Sequence, residues 1–169
     1  LSTHIRSYFR TTTAYTIMKK SSAYVLPIIF ICLFTGLSFG QSSQVRDAGS
    51  GAFLSRGHKN WSEPGNIAIN GASASIELDK NDKESNYLVG SDYGFNIPSN
   101  ATITGLQLNI TRKTQNNGNA LNDLMVTLHK NQNTESTNRA HSTKWSNSSL
   151  TQTYGGSGDL WDMTWTPAD

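Results

Sequence analysis

The feature that most constrains the fold is a two-residue alternation of apolar and polar side chains. It recurs in three runs, Ala72–Leu78, Leu106–Thr111 and Leu124–His129. Because successive side chains of a strand point to opposite faces, each run predicts a strand with one buried face. Weaker candidates are Tyr87–Val89 and Tyr93–Ile97. The sequence has no convincing 3.6-residue apolar repeat, so little helix is expected.

Short strands separated by turn-forming residues predict an all-β fold, specifically an antiparallel two-sheet sandwich of the jelly-roll type. Asn117–Gly118 is a tight-turn pair between the second and third runs, and it favours a hairpin there. Residues 131–153 are almost wholly polar. They predict a long surface loop or a weak edge strand.

Residues 18–40 have the organisation of a secretory signal peptide. Met18–Lys20 is a basic start, Ala23–Phe34 is an unbroken run of 12 apolar residues, and small residues precede an expected cut between Gly40 and Gln41. A membrane-spanning helix needs about 20 apolar residues, so a cleaved signal is favoured over an uncleaved anchor. We therefore expect a secreted or cell-surface protein with no membrane association after cleavage.

Residues 1–17 precede the expected start at Met18. They are interpreted as an upstream extension without a structural role, or alternatively as a transit-type leader, because they contain Arg, Ser and Thr but no acid. Either interpretation predicts that they stay outside the core. After the expected cut, residues 41–60 form a lead-in, and residues 61–169 form the β-sandwich domain.

Removing residues 1–40 changes the chemistry of the chain. The net charge falls from +2 to −2, because the remaining 129 residues hold 10 basic and 12 acidic side chains. The one cysteine, Cys32, leaves with the leader, so no disulfide is expected. A core alone can stabilise a single domain of this length. A mildly acidic chain with no basic run argues against a nucleic-acid partner.

Four aromatic residues near the C-terminus are the strongest indication of a ligand site. They are Trp145, Tyr154, Trp161 and Trp165, and Asp159 lies among them. Carbohydrate-binding β-sandwiches stack sugars on aromatic faces and hold the hydroxyls with carboxylates and amides. These five residues are therefore the predicted ligand-binding set. Packing of the same aromatic residues in the core is the alternative interpretation.

Other chemistries have less support in the sequence. The histidines are scattered, residues 41–169 contain no G-x-S-x-G motif, and the acidic turn at 79–84 lacks the EF-hand pattern. We expect no catalytic residues, no cofactor and no metal. The expected function is a non-catalytic extracellular binding or adhesion module that recognises a glycan or another cell-surface component. A structural spacer or assembly module is the alternative, and an enzyme is less favoured.

Several motifs occur in an order that resembles a domain recurring in exported Bacteroidetes proteins and in some phage-associated ones. The motifs are Trp61 with Pro64 and Asn66, Tyr93–Gly105 (YGFNIPSNATITG), Asp123–Leu128, Asn138–Ala140 with Trp145, Tyr154–Trp161 (YGGSGDLW) and Trp165–Asp169 (WTPAD). Together they span residues 61–169. Asp162 departs from the pattern, which often has glycine at that position.

The resemblance implies a β-sandwich module of large, often multidomain secreted proteins. It implies no assigned activity and no catalytic residues. It also implies that the domain continues past Asp169 into at least one more apolar strand, so that this sequence is a fragment.

Overall fold

The protein folds into antiparallel β-sheets. The computed structural model describes residues 5–20 (backbone only), 41–79, 81–82, 84–115, 121–130 and 134–169. Across these residues there is no α-helix, and one short 3-10 helix spans Pro64–Ala68. The strands are β1 Ile5–Lys20, β2 Ser42–Asp47, β3 Ser50–Leu54, β4 Ala74–Leu78, β5 Tyr87–Ser91, β6 Ala101–Thr114, β7 His129–Lys130, β8 Thr134–Glu135 and β9 Leu150–Gly155. The all-β prediction is confirmed.

The largest sheet has five strands, with β1 and β6 at its centre. One edge of β1 pairs with β6, from Ser7 opposite Thr114 to Lys20 opposite Ala101. The other edge of β1 pairs with β4 near its start and with β2 near its end. The far edge of β6 pairs with β9 over residues 107–112. Two smaller sheets pair β3 with β5 and β7 with β8.

A bulge in β6 adjusts which of its side chains are buried. The pairing with β1 skips Thr104, so that Ile103 and Gly105 oppose consecutive residues of β1. Buried positions accordingly change from odd numbers, such as Ile103, to even numbers, such as Leu108 and Arg112. An extra residue in one strand changes the phase of the two-residue period, which explains the switch.

Among the side chains that the structure describes, the buried apolar residues form two clusters. The first cluster contains Trp61, Ile67, Ala74, Ile76, Leu78 and Trp145. The second contains Leu108, Val126, Tyr154 and Trp161, with Leu106, Ile110, Leu128 and Ala140 packed against it. Alternate residues of β4 and β6 supply the apolar face in both cases, as the period of two requires.

Three of the predicted strands are confirmed. Ala72–Leu78 contains β4, Leu106–Thr111 lies within β6, and Tyr87–Val89 begins β5. The prediction of a strand at Tyr93–Ile97 is wrong. The backbone of this segment is hydrogen-bonded by side chains of β2, and not by the backbone of a neighbouring strand. The amide of Gln44 accepts from the N–H of Asn96 (3.0 Å) and donates to its carbonyl (2.5 Å).

The prediction of a regular strand at Leu124–His129 is also wrong for most of its length. Within this run only His129 belongs to a strand. Leu124 was expected to be buried, but it is 62% exposed. Side chains replace part of the ladder, since the N–H of Val126 donates to Asn138 Oδ1 (2.9 Å) and that of Leu128 to Ser136 Oγ (2.8 Å).

The N-terminal segment differs from its expected role. Ile5–Lys20 forms the central strand β1, although residues 1–17 were expected outside the core and Met18–Lys20 in the signal peptide. The lead-in 41–60 likewise contributes β2 and β3 to the sheets. The apolar run 23–34, Gly40 and the turn Asn117–Gly118 lie outside the described residues, and Gln41 is exposed. The signal peptide and the sandwich stay predictions.

Candidate functional site

The loop that follows β9 carries most of the predicted ligand residues, and backbone contacts hold it against β6. The N–H of Gly156 donates to the carbonyl of Leu106 (3.0 Å), and the N–H of Leu106 donates to the carbonyl of Asp159 (2.9 Å). This approach requires glycine at position 105, because a Cβ there would overlap the backbone of Gly156 and Ser157. The loop with the sequence YGGSGD therefore packs directly against the backbone of β6 at residues 105 and 106.

Trp161 anchors the end of this loop. It is fully buried (0% exposed), and its indole N–H donates to the carbonyl of Leu106 at 2.9 Å. Its φ is 57°, a left-handed conformation that is uncommon for a bulky residue. The N–H of Trp161 also donates to Asp159 Oδ1 at 2.7 Å, which helps to hold this backbone. A strained conformation of this kind persists only where several contacts fix it.

Arg139 and two carboxylates form a charged cluster beside Trp161. Nε and Nη2 of Arg139 donate to the two oxygens of Asp159, each at 3.0 Å, and Nη2 also reaches Asp162 at 3.2 Å. The guanidinium lies 5.9 Å from the ring centre of Trp161. Hydrogen bonding by Arg139 lowers the pKa of Asp159, which therefore carries its charge at neutral pH. A bidentate arginine–carboxylate pair holds both groups in a fixed orientation.

A cleft of about 630 Å³ opens between residues 138–141 and the loop after β9. Arg139, His141 and Asp159 line it, together with Thr153 and backbone of the glycine-rich loop. The ring of the exposed His141 packs on Tyr154 with the ring centres 5.2 Å apart. The volume falls within the usual range for small-ligand sites. The cleft combines hydrogen-bonding groups with one supported aromatic ring.

A second cleft, of about 830 Å³, also has Asp159 in its lining. Its lining includes Lys130, Asp162 and Met163. Lys130 is bound within the chain, since its ammonium donates to the carbonyl of Thr164 (3.2 Å) and pairs with Asp169 (2.8 Å). The ammonium of Lys130 is therefore already engaged by other groups of the chain.

A buried polar network lies beneath the loop, between the two core clusters. The carboxylate of Asp123 accepts from Arg112 Nη1, from the indole of Trp145 (3.0 Å) and from the hydroxyl of Tyr154 (2.7 Å). Arg112 Nη1 also donates to the oxygen of Tyr154 at 3.0 Å. Burial raises the pKa of Tyr154, so the phenol stays protonated and can donate to Asp123. Each charged group has partners, as burial requires.

The five predicted ligand residues therefore occupy different environments. Trp145, Tyr154 and Trp161 belong to the buried core. Asp159 and Trp165 are partly exposed, and the indole of Trp165 donates to the carbonyl of Leu160 at 2.9 Å. The structure brings Asp159 to the cleft but leaves the three buried aromatic residues no free ring face for stacking in this conformation.

The residues that line the cleft with Asp159 were not among the predicted ligand set. Arg139 and His141 lie in the polar segment 131–153, where composition gives no reason to single out either residue. Arg112 did carry a signal, because it follows Leu108 and Ile110 at the same two-residue spacing. A charged residue at a position that should face the core indicates that a buried group of opposite charge pairs with it.

Two searches of the described residues, for clusters of metal ligands and for membrane-spanning helices, gave no candidate. No group of three or more His, Cys, Asp or Glu residues is arranged to hold a metal ion there. No helix within the same residues is long and apolar enough to cross a membrane. In the acidic turn, Asp82 is used internally, accepting from the N–H of Asp79 (3.1 Å) and pairing with Lys59 (3.4 Å).

Comparison of the chain with family models, with curated proteins and with solved structures found no match. The motif resemblance therefore stays a prediction.

Proposed function

We propose that this protein is a non-catalytic extracellular binding or adhesion module, and that the cleft between residues 138–141 and the loop after β9 binds a glycan. The supporting observation is the composition of that cleft. A charged carboxylate, a partly exposed guanidinium and an aromatic ring line one concave surface. Sugar rings present hydroxyls and C–H faces, which these three groups match.

The guanidinium of Arg139 keeps hydrogen-bonding capacity for a ligand. Its three bonds to Asp159 and Asp162 use the N–H of Nε and the two N–H groups of Nη2. An arginine side chain has five such donors, and within the described part of the chain the two on Nη1 remain available. Asp159 and Asp162 already fix the orientation of the guanidinium. A sugar hydroxyl or carboxylate that binds Nη1 therefore costs little additional side-chain entropy.

His141 supplies the apolar contact in this proposal. Its ring rests on Tyr154, whose own position is fixed by the buried carboxylate of Asp123. A ring held by this tilted contact loses little freedom when a sugar packs against its exposed surface. In this proposal Tyr154 supports His141, and the aromatic residues predicted to bind the ligand are not themselves part of the cleft lining.

Glycan-array screening of the full chain, followed by calorimetry on any glycan that binds, tests the proposal. His141→Ala is expected to weaken binding about tenfold or more, corresponding to about 1.4 kcal/mol. His58→Ala is the matched control, because His58 is exposed, pairs only loosely with Glu84 (3.7 Å) and is outside the cleft lining. Equal affinities of the two variants, with unchanged melting temperatures, would remove the cleft from consideration.

An assembly module is the second candidate, and an exposed apolar patch favours it. Tyr87 pairs with Leu54 across β3 and β5, and its hydroxyl contacts the sulfur of Met125, next to the exposed Leu124. Contiguous apolar surface is typical of protein contacts. Sedimentation across a concentration series should then show association that Leu124→Lys abolishes. Leu150→Lys on β9 is the control, since Leu150 has a similar exposure of 58%.

A further inference from the structure

β1 lies on the leader side of the expected cleavage site, and yet it is the central strand of the largest sheet. On one edge it is antiparallel to β6 along nearly the whole length of that strand. On the other edge, Ile5–Phe9 pairs with β4 and Thr13–Met18 with β2. A cut between Gly40 and Gln41 would therefore separate the middle strand from its three neighbours.

The loss of β1 would open a slot one strand wide. Among the described strands, β6 would then pair only with β9, at residues 107–112 along the opposite edge. β2 begins at Ser42, and the strand it pairs with among the described residues is β1. It would therefore lose that partner. Both sides of the slot would then present unpaired backbone N–H and C=O groups. These groups are arranged to bind one strand that runs antiparallel to β2, β4 and β6.

The sides of the slot differ from ordinary free edges. Natural sheets protect an exposed edge by keeping it short or by placing proline and charged residues along it. β6 has 14 residues and no proline, and Ile103, Leu108 and Thr114 are among its buried positions. β4 is buried at every second residue. Strands of this length and burial are suited to pairing on both edges.

The sequence of β1 indicates the chemistry that fits the slot. Thr, Ile, Tyr and Phe fill nine of its 16 positions, and it contains neither glycine nor proline. These residue types are the ones enriched in strands. An extended segment of the same character can pair antiparallel to β6 through its backbone, which is the main source of affinity in strand addition.

We propose that the slot between β6 and the edge formed by β2 and β4 is a strand-acceptor site. Ile5–Lys20 occupies it in the uncut chain, and an extended segment of another polypeptide occupies it once the bond between Gly40 and Gln41 is cut. The site is separate from the glycan cleft, because the cleft borders β9 on the other edge of β6. Removal of the leader thereby converts an internal strand position into a binding site.

Strand exchange on the full chain tests this proposal. A protease site replaces residues 37–40, and the folded chain is cut in the presence of excess labelled peptide with the sequence of Ile5–Lys20. Native mass spectrometry should show the 41–169 fragment carrying one labelled peptide in place of the leader. The matched control is the same peptide with Thr12→Pro and Thr16→Pro, since proline removes backbone donors and fits poorly within a central strand. Binding of the control peptide should be at least tenfold weaker.

Two results would overturn the proposal. One is a cut fragment that stays folded, as judged by its tryptophan fluorescence, and binds neither leader nor peptide. The other is binding of the control peptide as strongly as the unsubstituted one, which would exclude backbone pairing as its basis.

Hydrogen exchange on the uncut chain provides a measurement that does not depend on cleavage. Thr12→Pro with Thr16→Pro in the full chain should accelerate exchange of β6 amides that pair with β1. Amides of β6 that pair with β9 should keep their protection. Equal protection at both edges of β6 in the variant and in the unsubstituted chain would show that β1 does not occupy the slot.

Discussion

Removal of the buried carboxylate of Asp123 should destabilise the protein more than removal of any exposed carboxylate. The side chains of Arg112 and Asp123 are only 4% and 5% exposed, and the carboxylate accepts from three donors. Asp123→Ala leaves the guanidinium of Arg112 buried without its counter-charge. It also leaves the indole of Trp145 and the hydroxyl of Tyr154 without this acceptor.

The expected magnitude follows from the charge that is left behind. Breaking a buried ion pair by removing one partner costs about 3–5 kcal/mol, because the remaining charge stays desolvated. Asp123→Asn keeps one oxygen acceptor and loses the charge, so about 1.5–3 kcal/mol is expected. The double variant Arg112→Met with Asp123→Leu removes both charges and should recover part of the free energy of unfolding lost in Asp123→Ala. The recovery is partial because Trp145 and Tyr154 still lack their acceptor.

Urea unfolding followed by tryptophan fluorescence measures these differences, since Trp145 and Trp161 are buried in the folded state. Asp162→Ala is the control, because Asp162 pairs with Arg139 but its side chain is 67% exposed. An Asp123→Ala variant no less stable than Asp162→Ala would refute the buried pair. A double variant less stable than Asp123→Ala would refute the argument from unpaired charge.

Two further predictions concern the loop after β9. Gly105→Ala should lower the free energy of unfolding by about 2 kcal/mol or more, because the new Cβ meets backbone that cannot move aside, whereas Gly158→Ala, with open space around it, should leave the melting temperature unchanged. Hydrogen bonding by Arg139 lowers the pKa of Asp159 below its usual value, so the unfolded chain binds the proton more readily. The stabilising contribution is therefore present above about pH 4 and is lost as the pH falls through the folded-state pKa. Asp159→Asn should therefore weaken the acid-induced loss of stability in that range, as measured by urea unfolding at a series of pH values, and an unchanged acid dependence would contradict this role of the pair.

The two-residue alternation of apolar and polar side chains was sufficient to predict the strands that hydrogen-bond to the backbone of a neighbouring strand. Ala74–Leu78 and the central part of β6 carry the alternation and form regular ladders. The run at Leu124–His129 carries the same alternation, but Asn138 and Ser136 bind its backbone through their side chains. A local pattern reports which face is apolar, and it does not report which groups complete the hydrogen bonds.

The positions of the site residues depended on contacts that are distant in the sequence. Asp159 was predicted as a ligand residue, but its partner Arg139 is 20 residues away in a segment without a distinctive pattern. The buried pair of Arg112 and Asp123 could have been suspected from one side only, since Arg112 lies on an apolar phase. Its carboxylate partner precedes the irregular run, where no pattern indicates burial.

The burial of the aromatic cluster changes how a binding experiment should be interpreted. Trp145 and Trp161 each lie near an arginine, at 5.1 Å from Arg112 and 5.9 Å from Arg139. Replacing either tryptophan with alanine would cost about 3–5 kcal/mol of stability, so loss of binding would follow from unfolding whether or not the indole contacts a ligand. His141 rests on the same cluster and is exposed. Its removal leaves the core intact, and it is therefore the variant that separates a binding surface from a structural one.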